Sequence, residues 1–265
     1  MFHVILNWEA KRKYNRAFAG ATLPFWGGSM KVRTASLLSI LVTAILAGGL
    51  ASSLPAQKNS AASMLQPDKG KFDILLDGKS IGKEEFEISP NGAGWLAKGT
   101  TQINTGDGSE TQVTGNLTLQ PNGVPVAYDW VSKSDKTNSA HVIFANGIAK
   151  ISLAVQGARP YEQEVSFNSP LIAVLDNNMY HHYALLARIY DWSKRGAQTL
   201  PVLIPQEITP GTITAEAVGS AASGGKTYEG LRVTTSDIEV LLLLDTNHRL
   251  MRLEVPASKV AVVRE

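Results

Sequence analysis

From Phe72 onward, apolar and polar residues alternate in short runs, and a side-chain period of two is the signature of a strand with one face covered. Phe72, Ile74 and Leu76 alternate with Asp73 and Asp77, and Phe86 and Ile88 with Glu85 and Glu87. Trp95 to Ile103 follows a Pro90-Asn91-Gly92 turn. In Gln112 to Leu119, Val113, Leu117 and Leu119 take one face and Gln112, Thr114, Asn116 and Thr118 the other. Pro121-Asn122-Gly123 leads into Val126, Tyr128 and Trp130. His141–Ala145 and Ile148–Val155 flank Asn146-Gly147, a strong two-residue hairpin signal. Tyr161–Phe167, Leu200–Ile204, Thr212–Val218, Thr227–Thr235, Leu250–Val255 and Val260–Val263 continue the pattern, and Ile238–Leu244 is apolar on both faces, as expected of a covered central strand. Strand signals arriving about every ten residues with short loops predict an antiparallel meander.

One segment breaks the period. Between Asp176 and Ser193, Leu175, Met179, His182, Leu186 and Ile189 fall at steps of four, three, four and three, which is one stripe of a helix. Asp176 or Asn177 is placed to cap its start and Gly196 to end it, and His181 falls on the exposed flank. A lone amphipathic helix must lay its stripe on the sheet. The expected fold is therefore mainly β: a curved antiparallel sheet or half-barrel of about a dozen strands with one helix on its concave side. Met179, His182, Tyr183 and Leu186 are then the candidate contacts for a ligand held between sheet and helix.

The N-terminal part reads differently. Met30-Lys31-Val32-Arg33 is a basic start, Leu37–Leu50 an apolar core, and Ser52 to Ala56 a small-residue exit, the arrangement of a secretory signal over 30–56. Cleavage is expected after Ala56, with Ala51 and Ser53 as alternatives. Gly48-Gly49, Ser52, Ser53 and Pro55 interrupt the stretch before the ~20 apolar residues that a membrane span needs; an uncleaved anchor over 34–57 is the alternative. Residues 1–29 read as a start-site extension, 57–69 as a flexible lead-in, and 70–265 as a single β-rich domain. The expected location is the periplasm or the exterior, with membrane contact only through the signal segment.

Charge sharpens this. Residues 1–56 hold six Lys/Arg against Glu9; removing them from the chain's 25 basic and 23 acidic residues leaves 19 and 22. The domain is mildly acidic and lacks the basic surplus of a nucleic-acid binder. With no cysteine in the sequence, disulfides, thiolate metal sites and a cysteine nucleophile are excluded.

Motif candidates weaken on their context. Gly78-Lys79-Ser80-Ile81-Gly82 matches a nucleophile elbow, but that chemistry needs strand, turn and helix, whereas here a hairpin runs into a strand. Gly92-Ala93-Gly94-Trp95-Leu96-Ala97 likewise leads into a strand and not a phosphate-holding helix. Gly78-Lys79-Ser80 lacks the upstream glycine of a phosphate loop, because position 73 is Asp. Asn104–Glu110 carries oxygen ligands without calcium-loop spacing and reads as a solvated turn. His181 and His182 are adjacent, about 100° apart on a helix, and suit no shared metal; His141 and His248 have no evident partners. No catalytic residue, metal site or cofactor is assigned.

The opening FDILLDGKSIGKEEFEI (residues 72–88) resembles the first hairpin of uncharacterised exported β-rich domains of Gram-negative bacteria, and VLLLLDTNHRLMRLEV (residues 240–255) looks like their last. The chain is more distantly similar to periplasmic lipoprotein carriers, from which it departs in placing one helix late. The resemblance implies a curved sheet with a covering helix and an apolar ligand. The function expected is that of an exported, non-enzymatic binding protein for an apolar, lipid-like or amphipathic ligand or an envelope protein. The alternatives are an envelope scaffold or accessory interaction domain, and an enzyme with an unrecognised site.

Overall fold

The computed structural model describes residues 64–104 and 110–265. The extension 1–29, the signal segment 30–56, the front of the lead-in and residues 105–109 of the turn read at Asn104–Glu110 lie outside the described residues. Fifteen strands form a single curved, unclosed sheet: β1 (Asp68–Leu76), β2 (Lys79–Asn91), β3 (Gly94–Asn104), β4 (Glu110–Leu119), β5 (Pro125–Lys133), β6 (Thr137–Ala145), β7 (Ile148–Val155), β8 (Tyr161–Ser166), β9 (Ala173–Val174), β10 (Gln198–Ile204), β11 (Thr209–Ser223), β12 (Lys226–Thr234), β13 (Glu239–Leu244), β14 (Leu250–Val255) and β15 (Val260–Arg264).

The first described strand, β1, lies in the middle of this sheet, not at an edge. The order is β8 to β1 followed by β15 to β9, so one meander runs outward from β1 to the edge at β8 and a second runs inward from β9 to β15. The two meet where β1 pairs antiparallel with β15, Phe72 opposite Arg264 and Leu76 opposite Val260. Arg264 fastens that seam: its guanidinium lies 2.6 Å from Asp68 Oδ1, both side chains at most 9% exposed, and 5.3 Å over the Phe86 ring.

Thirteen of the fourteen strand pairs are antiparallel; β9 and β10 run parallel, Val202 beside Ala173. A parallel pair cannot be joined by a tight turn and needs a crossover, usually helical. Here the crossover contains the single described helix, α1 (His181–Ile189). The same connection that brings β10 back parallel to β9 thus delivers a helix to the concave face.

The alternation in the sequence maps onto this sheet closely. In β3, Trp95, Ala97, Gly99, Thr101 and Ile103 face the interior, and in β4 Val113, Gly115, Leu117 and Leu119 do. Asn146-Gly147 makes the expected hairpin turn, with φ of 52° and 77°. Strand β13 is paired on both sides, with β12 and β14, and Leu242, Leu243 and Leu244 are all buried, as its two-sided apolarity predicts.

Several expectations need correction. Gly196 does not end α1, which stops at Ile189 because Tyr190 turns extended (ψ 132°), and neither Asp176 nor Asn177 caps its start. His181 is fully buried and not on an exposed flank, because the curved sheet wraps the helix; seven of its nine residues are buried. The two-residue β9 carries too little pattern to be read. Val126 is exposed and out of step with Tyr128 and Trp130, since the β4–β5 register shifts between Thr118 and Leu119 and leaves it as the bulged residue. Strand β1 begins at Asp68, and Leu65, inside the supposed flexible lead-in, is 2% exposed.

Leu186 is 1% exposed at the heart of this interface. Leu186→Asp removes a core side chain and buries a charge, so it is expected to cost more than about 4 kcal/mol and to unfold the domain near ambient temperature. Ser80→Ala, on the outer surface of β2, is expected to stay within about 0.5 kcal/mol. Thermal melts of the two variants check both.

Candidate functional site

The glycines facing inward on β3 and β4 lie directly opposite each other, Gly99 beside Gly115. Together they form a hollow in the sheet. A Cβ on Gly99 would stand 2.4 Å from Cε1 of His181 and 2.8 Å from Cε of Met179; one on Gly115 would meet Met179 Cε at 2.9 Å and the Tyr128 hydroxyl at 3.0 Å. The hollow receives the entry to α1, and only glycine leaves it the room.

Around it stand five buried polar side chains from three parts of the chain: Glu84 of β2, Tyr128 of β5, and Asp176, His181 and His182 of the helix and its entry. Glu84 serves as the cap that the helix lacks in its own sequence. Its Oε2 accepts from the backbone N–H of Tyr180 at 3.0 Å and of His181 at 3.2 Å, and its Oε1 lies 2.6 Å from His181 Nδ1. A carboxylate only accepts, so Nδ1 carries the proton. Three donors and the positive end of the helix dipole therefore converge on one carboxylate with no exposed surface. The His181 ring also stacks on Phe86, 5.9 Å between centroids.

Asp176 is held by a second set. Tyr128 donates to its Oδ2 at 2.8 Å, and the backbone N–H groups of Asn177 and Gln206 donate to Oδ1 at 3.1 and 3.2 Å. Burial pushes the Asp176 carboxyl up to about 7 against the opposing pull of these hydrogen bonds. Burial also drives Tyr128 upward, with the Asp176 charge adding to it, and takes Tyr183 to about 12. His182 falls well below its ordinary value, first through burial and then through neighbouring His181. It is therefore neutral, and its Nδ1 accepts the Asp176 backbone N–H at 3.2 Å. That bond fixes the tautomer with the proton on Nε2.

His182 Nε2 and His181 Nε2 are buried without a hydrogen-bond partner among the described residues. Buried polar atoms are rarely left so. The His182 ring lines a cavity of about 20 Å³, otherwise walled by apolar side chains including Leu65, Leu117, Leu119, Leu186 and Ile189. Such a volume is room for about one water, and a lone polar partner holds a water poorly.

The structure thus brings two of the four sequence-predicted contacts, His182 and Leu186, to one cavity. Met179 fills the Gly99–Gly115 hollow instead, and Tyr183 is 9% exposed in the core. Glu84 was missed as a partner, and Asp176, a candidate helix cap in the sequence, instead joins Tyr128 and His182. The signal for Glu84 was present, since it stands two residues before Phe86 and shares its inward face. Ser80 lies on β2 and donates to Asp73 at 2.5 Å, while Gly92–Ala97 runs into β3, so neither glycine motif meets a helix. His141 and His248 do have partners: His141 sits 2.6 Å from Asp129 on the paired strand, and His248 stacks on Trp192 at 4.0 Å and lies 3.1 Å from Glu229. No group of three or more His, Cys, Asp or Glu is arranged to hold a metal ion among the described residues.

Two outcomes follow. Gly99→Val is expected to lower stability by about 1–3 kcal/mol through overpacking against His181, read by urea unfolding. The raised Asp176 value means its stabilising protonated form is complete below about pH 4 and lost as pH rises towards 7. The lowered His182 value acts oppositely: its contribution is present above about pH 6.5 and lost as pH falls. Asp176→Asn removes only the first, so its stability should rise more steeply than the wild type's from pH 4 to 6.5; parallel profiles would contradict the assignment.

No protein-family model matches the chain, and no curated protein matches it. Among solved structures it is similar to a β-barrel-like protein of the DUF1849 domain of unknown function from Brucella abortus, at 10% identity and a TM-score of 0.52, over 76% of this chain and 95% of that one. A DUF1089 family protein from Pseudomonas aeruginosa aligns at 9% identity and a TM-score of 0.40, over 66% and 90%. At such identity the first likeness concerns the fold alone, and that fold is β-barrel-like.

Proposed function

We propose that this chain is an exported, non-enzymatic binding protein that takes up a small apolar or amphipathic molecule between α1 and the sheet. The observation that carries the reading is that His182, which lines a cavity with otherwise apolar walls, keeps a buried Nε2–H without a partner among the described residues. Apolar walls with a single placed polar group are the usual make-up of a small-molecule site. The buried Glu84–His181 and Asp176–Tyr128 pairs hold the helix in place and have no exposed surface from which to act on a solute. The acidic balance of the domain and the signal-like segment agree with a life in the envelope or outside the cell.

The small volume of the cavity favours a second reading, an envelope interaction domain whose partner is another protein. In that case the sheet is a filled scaffold and His182 a core histidine.

Native mass spectrometry of the full chain, purified from its own cells without detergent, separates the two. The first reading expects a small molecule bound one to one and its loss in His182→Phe under conditions where that variant remains folded. A wild-type protein that carries nothing and takes up no apolar dye would refute it in favour of the second.

A further inference from the structure

Resting on that reading, we propose that Leu65 is a replaceable plug in the site and that its natural replacement is an acceptor-headed hydrocarbon chain. Leu65 belongs to the segment ahead of β1, where its neighbours Met64 and Gln66 are exposed. Only its own side chain dips inward, to 2% exposure, and it forms part of the cavity wall beside His182 and Leu186. Backbone hydrogen bonds to β1's partners begin at Asp68, and among the described residues none is recorded for 64–67. The buried Leu65 side chain is what ties residues 64–67 to the core, while every other wall of the cavity belongs to the sheet, the helix or the loops tied to them.

The chemistry of the occupant follows from the two ends of the site. The Leu65 side chain is a four-carbon hydrocarbon, a methylene and a methine bearing two methyls, in an apolar slot, so what displaces it must be hydrocarbon of similar width. His182 offers a donor and, with its Nδ1 already accepting from Asp176, offers no acceptor. A carboxyl, ester or hydroxyl oxygen can take that N–H; an alkylammonium, which has only donors, cannot.

Calorimetric titration of the full chain with pentanoic acid, pentan-1-ol and pentylammonium, sized to the Leu65 slot plus the cavity, tests this, using wild type and Leu65→Ala. Pentanoic acid and the alcohol are expected to bind both proteins, about tenfold or more tighter in Leu65→Ala because the competing side chain is gone, and the ammonium neither. Equal affinity in the two proteins would overturn the plug while leaving the site standing. Equal binding of the ammonium would overturn the acceptor-headed class. Binding of none of the three by either folded protein would remove the ligand reading itself. Should Leu65→Ala fail to fold, hydrogen exchange in wild type decides: saturating pentanoic acid should speed exchange at the Leu65 and Gln66 amides, and unchanged rates with probe bound would refute the plug.

Discussion

A carboxylate buried without exposed surface is tolerable only when donors surround it, and Glu84 is surrounded by three. That requirement ties the molecule together. The donors are the first backbone amides of α1 and the ring of its first residue, so the sheet supplies the helix cap and the helix supplies the counterpart of the sheet's buried charge. Neither element is satisfied alone. A nine-residue helix is too short to persist by itself; it exists where the curved sheet both caps its start and covers its sides.

The hollow at Gly99 and Gly115, the crossover between β9 and β10, and the seam at β1 and β15 all serve this one docking. The crossover brings the helix across, the glycines admit Met179 and His181, and the Arg264–Phe86–His181 stack links the seam to the helix start. With the entry to α1 immobilised by Glu84, Asp176 and Thr101, whose hydroxyl donates to Asn178 O at 2.5 Å, the later half of the helix and Leu65 remain as the part of the interface with space beside it. The proposed site sits there because anchoring is concentrated at the other end.

Period-two alternation made most of the strands legible, since each has one face on the core, and Asn146-Gly147 announced its hairpin through turn chemistry alone. The helix stripe was legible too, as Met179, His182 and Leu186 are all inside. What escaped was whatever depends on curvature. On a flat sheet His181 would face solvent; on this one it is enclosed. Glu84 passed unread and Asp176 read as a helix cap, because the donors that permit their burial are 97 and 30 or 48 residues away. Strand β9 is two residues long and defined by its partner, and Leu65 looks like linker until the cavity it lines is seen. The candidate site was legible in its helical half and hidden in its remaining walls for the same reason.

If Glu84 and the helix start depend on each other, their energies must be coupled. A double-mutant cycle of Glu84→Gln and His181→Asn, followed by urea unfolding at pH 7, measures this directly. The account predicts a coupling energy of about 2 kcal/mol or more, each single variant costing nearly as much as the pair. Additive effects within about 0.5 kcal/mol would show that the helix is held by apolar packing alone and would contradict the account.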